Sequence, residues 1–364
     1  MSSNSNQGTI LITSPDQNGT KISLASESSE SISGICSQPG WSVVILGAAS
    51  GTTSCLTNGT WSLTLNFSPS PDGLITISAF ETNGSLSSNP TTRSFVKDTA
   101  YCLTNSANAP FAGGAGTVPS PYLICTTTQA LNLSNTPADW GDNFQLKNDI
   151  DLTGQSWTPV NMTAKFDGNG FKMMNLTINS PATNDIGLFG SLSGTAENLG
   201  VSNGNITGNQ SVGLLSGTTV GSIITNCYTT GQVTATGFHV GGLVGDGTST
   251  ISNSWSSATV TDAGSGGGGL VGDATGGSIS NSYATGGVSI TSGGNSRIGG
   301  LAGASSAAIS NSYATGAVSA AGDSSVGGLV GQNTSTIVTS YATGGVSGAV
   351  PVGGANRANF WFCD

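Results

Sequence analysis

One short phrase recurs through the second half of the chain and limits what it can become. It reads Gly242-Leu243-Val244-Gly245, Gly269-Leu270-Val271-Gly272, Gly300-Leu301-Ala302-Gly303 and Gly328-Leu329-Val330-Gly331. Gly187-Leu188-Phe189-Gly190 and a degenerate Gly213-Leu214-Leu215-Ser216 precede these copies. Between them runs a second phrase: Ile251-Ser252-Asn253-Ser254-Trp255, Ile279-Ser280-Asn281-Ser282-Tyr283, Ile309-Ser310-Asn311-Ser312-Tyr313 and Ile337-Val338-Thr339-Ser340-Tyr341. A third segment follows, such as Gly287-Val288-Ser289-Ile290. Three short β-prone segments per repeat, joined by glycine-rich turns, describe one coil of a parallel β-helix, each strand pairing with its equivalent about 4.8 Å away. The glycine density excludes a helical solenoid. A propeller blade would need four strands and roughly 40 residues, more than the repeat supplies.

These units, with the Asn-Ser-Tyr-Ala-Thr-Gly that closes several of them, resemble the GLUG repeat. The stretch from Gly113 through Asp151 to Asp167-Gly168-Asn169-Gly170 resembles the segment that commonly precedes such repeats. The resemblance implies a β-solenoid of a large bacterial surface or secreted protein, many of which are adhesin-like. It carries no catalytic set that can be placed on these residues.

The first hundred residues read differently. Thr9-Ile10-Leu11-Ile12, Ser42-Val43-Val44-Ile45-Leu46, Trp61-Ser62-Leu63-Thr64-Leu65 and Leu74-Ile75-Thr76-Ile77-Ser78 alternate with period two and are rich in β-branched residues. Asn58-Gly59, Pro71-Asp72-Gly73 and Asn83-Gly84 supply the turns. Such a series predicts a β-sandwich. Gly34-Ile35-Cys36, Pro39-Gly40, Asn58-Gly59-Thr60-Trp61, Pro71-Asp72-Gly73 and Val96-Lys97-Asp98-Thr99 resemble a bacterial immunoglobulin-like module, which implies a spacer or stalk. The expected architecture is therefore all-β, an N-terminal Ig-like β-sandwich followed by a right-handed parallel β-helix. Its parts are a sandwich over residues 1–99, a transition with N-terminal cap and first coils over 100–180, and the repeats with a C-terminal cap over 181–364.

Composition narrows the partners. Charged residues are 7% of the chain and the net charge is -10, with five lysines and three arginines. No basic stripe is available for phosphates, so nucleic acid is excluded. No apolar run of about 18–20 residues exists to insert in a membrane. Neutral glycans, surface proteins of a target cell and cations remain. Cys36 with Cys55 and Cys102 with Cys125 read as disulfides, which favours an exported, cell-surface or extracellular chain. The first ten residues lack a signal-peptide pattern, so the leader is expected outside this sequence. A single histidine and scattered cysteines argue against zinc. Cys227 reads as a buried thiol, and Cys363 belongs to the apolar Phe360-Trp361-Phe362-Cys363, expected to cap the last coil or to mediate oligomerisation.

Catalysis finds little to work with. Beyond residue 200 the acids are Asp246, Asp262, Asp273, Asp323 and Asp364, and the bases are His239, Arg297 and Arg357. The expectation is a non-enzymatic adhesin module. The competing polysaccharide-degrading site would fall at Asp149, Asp151, Lys165 and Asp167, whose three aspartates are also a calcium candidate. A structural stalk is the third reading. Asp246 and Asp273 occupy the same position in adjacent repeats, a second calcium candidate opposed by the reading that they are solvated turn residues. His239 reads as an ordinary loop residue. Tyr228, Trp255, Tyr283, Tyr313 and Tyr341 form a series, and their shared parity with Ile279 and Asn281 places rings and amides inside. A flat Ser/Thr face would suit ice, but no sustained Thr-x-Thr spacing supports it. Recognition is then expected in the uneven loops at 262–268, 291–298 and 320–326.

Overall fold

The computed structural model describes residues 9–14, 20–23, 26–264, 266–291, 296–321 and 324–348. The chain divides into two compact units, residues 1–107 with 147–149, and residues 108–146 with 150–364. Among the described residues no helix is long and apolar enough to cross a membrane.

The first unit is the sandwich that the alternation predicts. Ile10–Ser14, Glu30–Cys36 and Thr60–Leu65 pair antiparallel in one sheet. Thr20–Ile22, Thr91–Lys97, Gly73–Thr82, Ser42–Gly47 and Gly51–Ser54 form the other, in that order. Inward residues of both sheets, including Ile32, Val43, Ile45, Trp61, Ile77 and Phe95, make one core. A Cys36–Cys55 disulfide ties the last residue of Glu30–Cys36 to the residue after Gly51–Ser54, one from each sheet. Cys102 in this unit is also disulfide-bonded. Buried charge is matched in place: Lys97 Nζ sits 2.7 Å from Glu27 and donates to the carbonyls of Phe67, Ser68 and Ser70.

The second unit is a β-solenoid. Its described strands form two thirteen-stranded sheets and one five-stranded sheet, which the coils join from Val212–Gly213 onward. The repeats stack in register: Ile224, Ile251, Ile279, Ile309 and Ile337 are successive partners, as are Val260, Val288, Val318 and Val346. Burying these columns is what holds the stack together, at about 1.5–3 kcal/mol for each large aliphatic side chain. The glycines of the repeated phrase are needed because neighbouring coils run so close. A Cβ on Gly269 would lie 2.2 Å from the carbonyl oxygen of Gly300, and one on Gly300 2.2 Å from that of Gly328.

The solenoid's first stretch holds a helix that the strand reading did not include. Thr127–Asn135 begins with a capping box, in which Thr126 Oγ1 accepts from Gln129 N and the Gln129 side chain accepts from Thr126 N. It lays Ala130 and Leu133 into the same core as the first coils. That is how the open end of a stack is covered. The expected C-terminal cap, Phe360 to Cys363, lies outside the described residues.

Candidate functional site

Parity reasoning put the aromatic series inside the solenoid; the structure puts it outside. Ile251, Ile279 and Ile309 are buried, yet Asn253, Asn281 and Asn311, two positions on, are exposed. The cause is backbone. Asn226, Asn253, Asn281 and Asn311 all have φ between 48° and 52°, the left-handed region that asparagine tolerates better than most residues. A left-handed residue makes a corner, and alternation restarts one position out of phase beyond it. Ser254, Ser282, Ser312 and Ser340 therefore turn inward, and the following aromatics turn out. The amide ladder expected along the core is a corner column instead, where Asn226 Nδ2 donates to Asn198 Oδ1 at 3.0 Å.

The buried polar column is made of serine. Each hydroxyl donates to a carbonyl of its own coil, as Ser282 Oγ does to Ser280 O at 2.7 Å. Each accepts an N–H from the coil before, as from Cys227, Ser254, Ser282 and Ser312 to Ser254, Ser282, Ser312 and Ser340. Cys227 occupies the serine position of its own coil and is buried with its thiol free, as expected. Burial pushes that thiol up to about 12.

Outside, the five rings stack coil upon coil. Tyr228–Trp255, Trp255–Tyr283, Tyr283–Tyr313 and Tyr313–Tyr341 have centroids 4.8, 5.8, 4.8 and 5.3 Å apart, within 11° of parallel. Rings stacked this way cover one another's faces and turn their edges outward. The first ring lies over Gly200, where a Cβ would meet Tyr228 Cζ at 2.4 Å. On one side runs the asparagine column; on the other run Thr230, Ser257, Thr285, Thr315 and Thr343 at the position two past each ring. The corner thus carries amide, aromatic and hydroxyl columns without a charge.

A second site collects what charge the coils have. Among the described residues from 200 to 348 the only carboxylates are Asp246, Asp262 and Asp273, and the only bases are His239 and Arg297. Asp246 and Asp273 are register partners on adjacent strands. They are not solvated turn residues pointing apart. The His239 ring lies between them, Nδ1 3.3 Å from Asp246 Oδ2 and Nε2 3.6 Å from Asp273 Oδ2, and Arg297 Nη2 is 3.6 Å from Asp273 Oδ2. His239 lies in a loop, as expected, with φ 63° in the left-handed region. Its hydrogen bond with Asp246 raises its pKa above the usual imidazole value, against the opposing effect of burial. Burial raises Asp273, with His239 and Arg297 opposing. Asp262 is fully buried, accepts from the N–H groups of Gly264 and Gly266, and is pushed by burial to about 6. Asp262 and Arg297 come from two of the loops in which recognition was expected. Parts of all three loops lie outside the described residues.

The acidic residues expected to act together near the first coils each have partners of their own. Asp149 belongs to the first unit, where Ser23 Oγ donates to it at 2.9 Å. Asp151 accepts from Thr153 and Asn175, which hold its carboxyl below the usual range. Asp167 accepts from Gln145, Asn169 and Asn198, and Lys165 pairs with Glu197 at 2.6 Å. Lys165 and Asp167 line an open cleft of about 460 Å³ with Gly114, Pro119, Pro121 and Asn143, but their polar atoms are already engaged.

Residues 294–319, which include the Ile309–Tyr313 phrase, match the family model of the GLUG motif. Those residues carry the GLUG motif. Halomucin of Haloquadratum walsbyi is 33% identical over 153 residues, 37% of this chain and 2% of halomucin. A protein of Evansella cellulosilytica, provisionally named a Gly-rich membrane protein, is 38% identical over 110 residues, 27% of this chain and 13% of that protein. The matched stretches span a small fraction of either relative. A Bacteroides ovatus crystal structure, provisionally named an immunoglobulin A1 protease, aligns with TM-score 0.47 and 28% identity over 68% of this chain and 88% of that one. That name belongs to the Bacteroides protein alone.

Proposed function

We propose that this chain is a non-enzymatic module of a cell-surface or secreted protein, an adhesin-type binder of neutral polysaccharide. The observation that carries the reading is the outward aromatic column flanked by asparagine and threonine columns. A repeating, uncharged array of amides, ring edges and hydroxyls suits a ligand that is itself a repeat of hydroxyls. An extended polysaccharide lying along the solenoid axis advances by about one strand spacing, roughly 4.8 Å, per sugar. Both partners then repeat in step, and many weak contacts add along the chain by holding one another in place. Disulfides support an oxidising location. The binding surface so proposed is the regular GLUG corner, in place of the uneven loops.

A glycan array with the recombinant protein tests this. Binding to neutral, extended polysaccharides, lost by at least about tenfold in a Trp255→Ala/Tyr283→Ala double variant, is the expected result; a tenfold loss is about 1.4 kcal/mol. No glycan bound at all would leave the sandwich and solenoid as a structural stalk. Release of reducing ends or unsaturated sugars from any bound polysaccharide would overturn the non-enzymatic reading.

A further inference from the structure

We infer that His239, Asp246 and Asp273 form a binding site for a borderline divalent cation of the zinc type, separate from the aromatic corner. One ligand atom from each of the three lies within 4.8 Å of the others. Three protein ligands, an imidazole nitrogen and two carboxylate oxygens, are the donor set of an open zinc site, with the remaining position left to water. Calcium, which takes six to eight oxygens, has no use for the imidazole.

Four features support the assignment. The first is convergence: of the five described carboxylates and bases between residues 200 and 348, four meet here, His239, Asp246, Asp273 and Arg297. The second is an unfinished contact. Asp246 Oδ1 is out of solvent and has no hydrogen-bond partner. An unpaired buried acceptor costs about 1–3 kcal/mol, and more when it carries charge. A cation held by that carboxylate removes the cost. The third is access, since His239, Asp246 and Asp273 keep 23%, 25% and 13% of their side-chain surface exposed. The fourth is space. The residue in register between His239 and Arg297 is Gly266, where an added Cβ would meet nothing closer than 3.7 Å. Neighbouring coils offer Thr218 and Ala304 in place of the two aspartates, so the site occurs once in the described stack. Arg297 competes with the cation for Asp273, which sets a direction for its removal.

The chain's only histidine makes the test direct. Untagged protein, labelled with ¹⁵N in the imidazole, is titrated with Zn²⁺ while the ring nitrogens are followed by NMR, and Zn²⁺ affinity is read by competition with a chromogenic chelator. The expected result is one Zn²⁺ per chain, a large shift of one ring nitrogen saturating at one equivalent, and no comparable response to Ca²⁺. Asp246→Asn and Asp273→Asn should each weaken Zn²⁺ at least about tenfold, and Arg297→Gln should tighten it. Wild-type protein with unmoved ring resonances at saturating Zn²⁺ overturns the assignment, with no variant required. So does Zn²⁺ affinity unchanged in Asp246→Asn.

Discussion

The solenoid contains two columns of aromatic rings, one inside its first coils and one outside its later coils. Inside, Tyr122, Phe144 and Phe166 are successive register partners, with Phe144 and Phe166 6.4 Å apart and Phe189 packed edge-on against Phe166 at 5.5 Å. Further along, the same position is taken by Ala196, Ile224 and Ile251, and the rings reappear on the outer wall from Tyr228 to Tyr341. The inner wall narrows in step: Met173, Val201, Thr229, Ser256 and Ala284 are successive partners at the residue after the ring position. The inner rings meet at 26° to 67° and the outer ones within 11° of parallel, and the consequences differ as well. Rings inside fill volume and are held by everything around them. Rings outside are held by one another and by the corner that turned them out, which leaves their edges available to a ligand.

The sharpest way to break this comparison is to remove one ring from each wall. Phe166 is 1% exposed, so Phe166→Ala should cost about 3–5 kcal/mol, a transfer loss plus a cavity the stack cannot close. Tyr313→Ala loses two stacking contacts of about 0.5–1.5 kcal/mol each and leaves no cavity. Urea midpoints of the two variants measure the difference. Equal losses would mean that the outer rings are structural and would remove the basis for a ligand face.

Charge gives the next largest effect, because the inner wall can hold a carboxylate only at a cost. Asp262 has a folded pKa of about 6 against an ordinary value of 3.8. The folded state then binds the proton more tightly than the unfolded chain. Stability contributed at this residue therefore rises as pH falls from about 7 to about 4, by roughly 3 kcal/mol at most. Asp262→Asn should flatten that slope when unfolding midpoints at pH 4.5 and 7.5 are compared in the presence of a chelator. A slope unchanged by the substitution would show that other groups carry it.

Much of this fold was legible in the sequence, and the reason is the repeat. Equivalent phrases had to pair, so Ile279 with Ile309 and Tyr283 with Tyr313 followed once the period was read. The sandwich was legible because period-two alternation over Val43 to Ile45 and Ile75 to Ala79 is intact. What failed was parity across Asn281. Counting by two assumes extended backbone throughout, and a single left-handed residue breaks the count. The charged site was hidden for another reason. His239 and Asp246, Asp273, and Arg297 lie on three successive coils, and only stacking brings them together. The capping helix did leave a signal, Thr126 with Gln129 three residues on, among residues otherwise read as strand and turn.

The corner itself can be tested at smaller cost. Asn281 has φ 48°, where alanine carries a penalty of about 1–2 kcal/mol and glycine carries none from its side chain. Asn281→Ala should lower stability by that amount, read from urea unfolding, and Asn281→Gly by much less. The reverse ranking would show that the amide's own contacts, and not the backbone turn, send Tyr283 outward.

The smallest effect belongs to Cys227, a thiol at the position that serine holds in the coils after it. Cys227 N donates to Ser254 Oγ at 3.0 Å, and its own sulfur lies 3.4 Å from Thr225 O, where Ser254 Oγ meets Ser252 O at 2.8 Å. The Leu199 N–H reaches the sulfur in turn, as the Cys227 N–H reaches Ser254. Thiol and hydroxyl thus play the same part in the ladder. Cys227→Ser should shift stability by no more than about 0.5–1 kcal/mol, the net worth of one hydrogen bond gained against the apolar area lost. A branched apolar side chain of similar size, Cys227→Val, should cost more, because it leaves the Leu199 N–H unpaired in the interior. With its pKa pushed up to about 12, the thiol should also resist iodoacetamide in folded protein and react once urea opens the coils. Fast alkylation without denaturant would place Cys227 on the outer wall, and with it the serine column that the rings depend on.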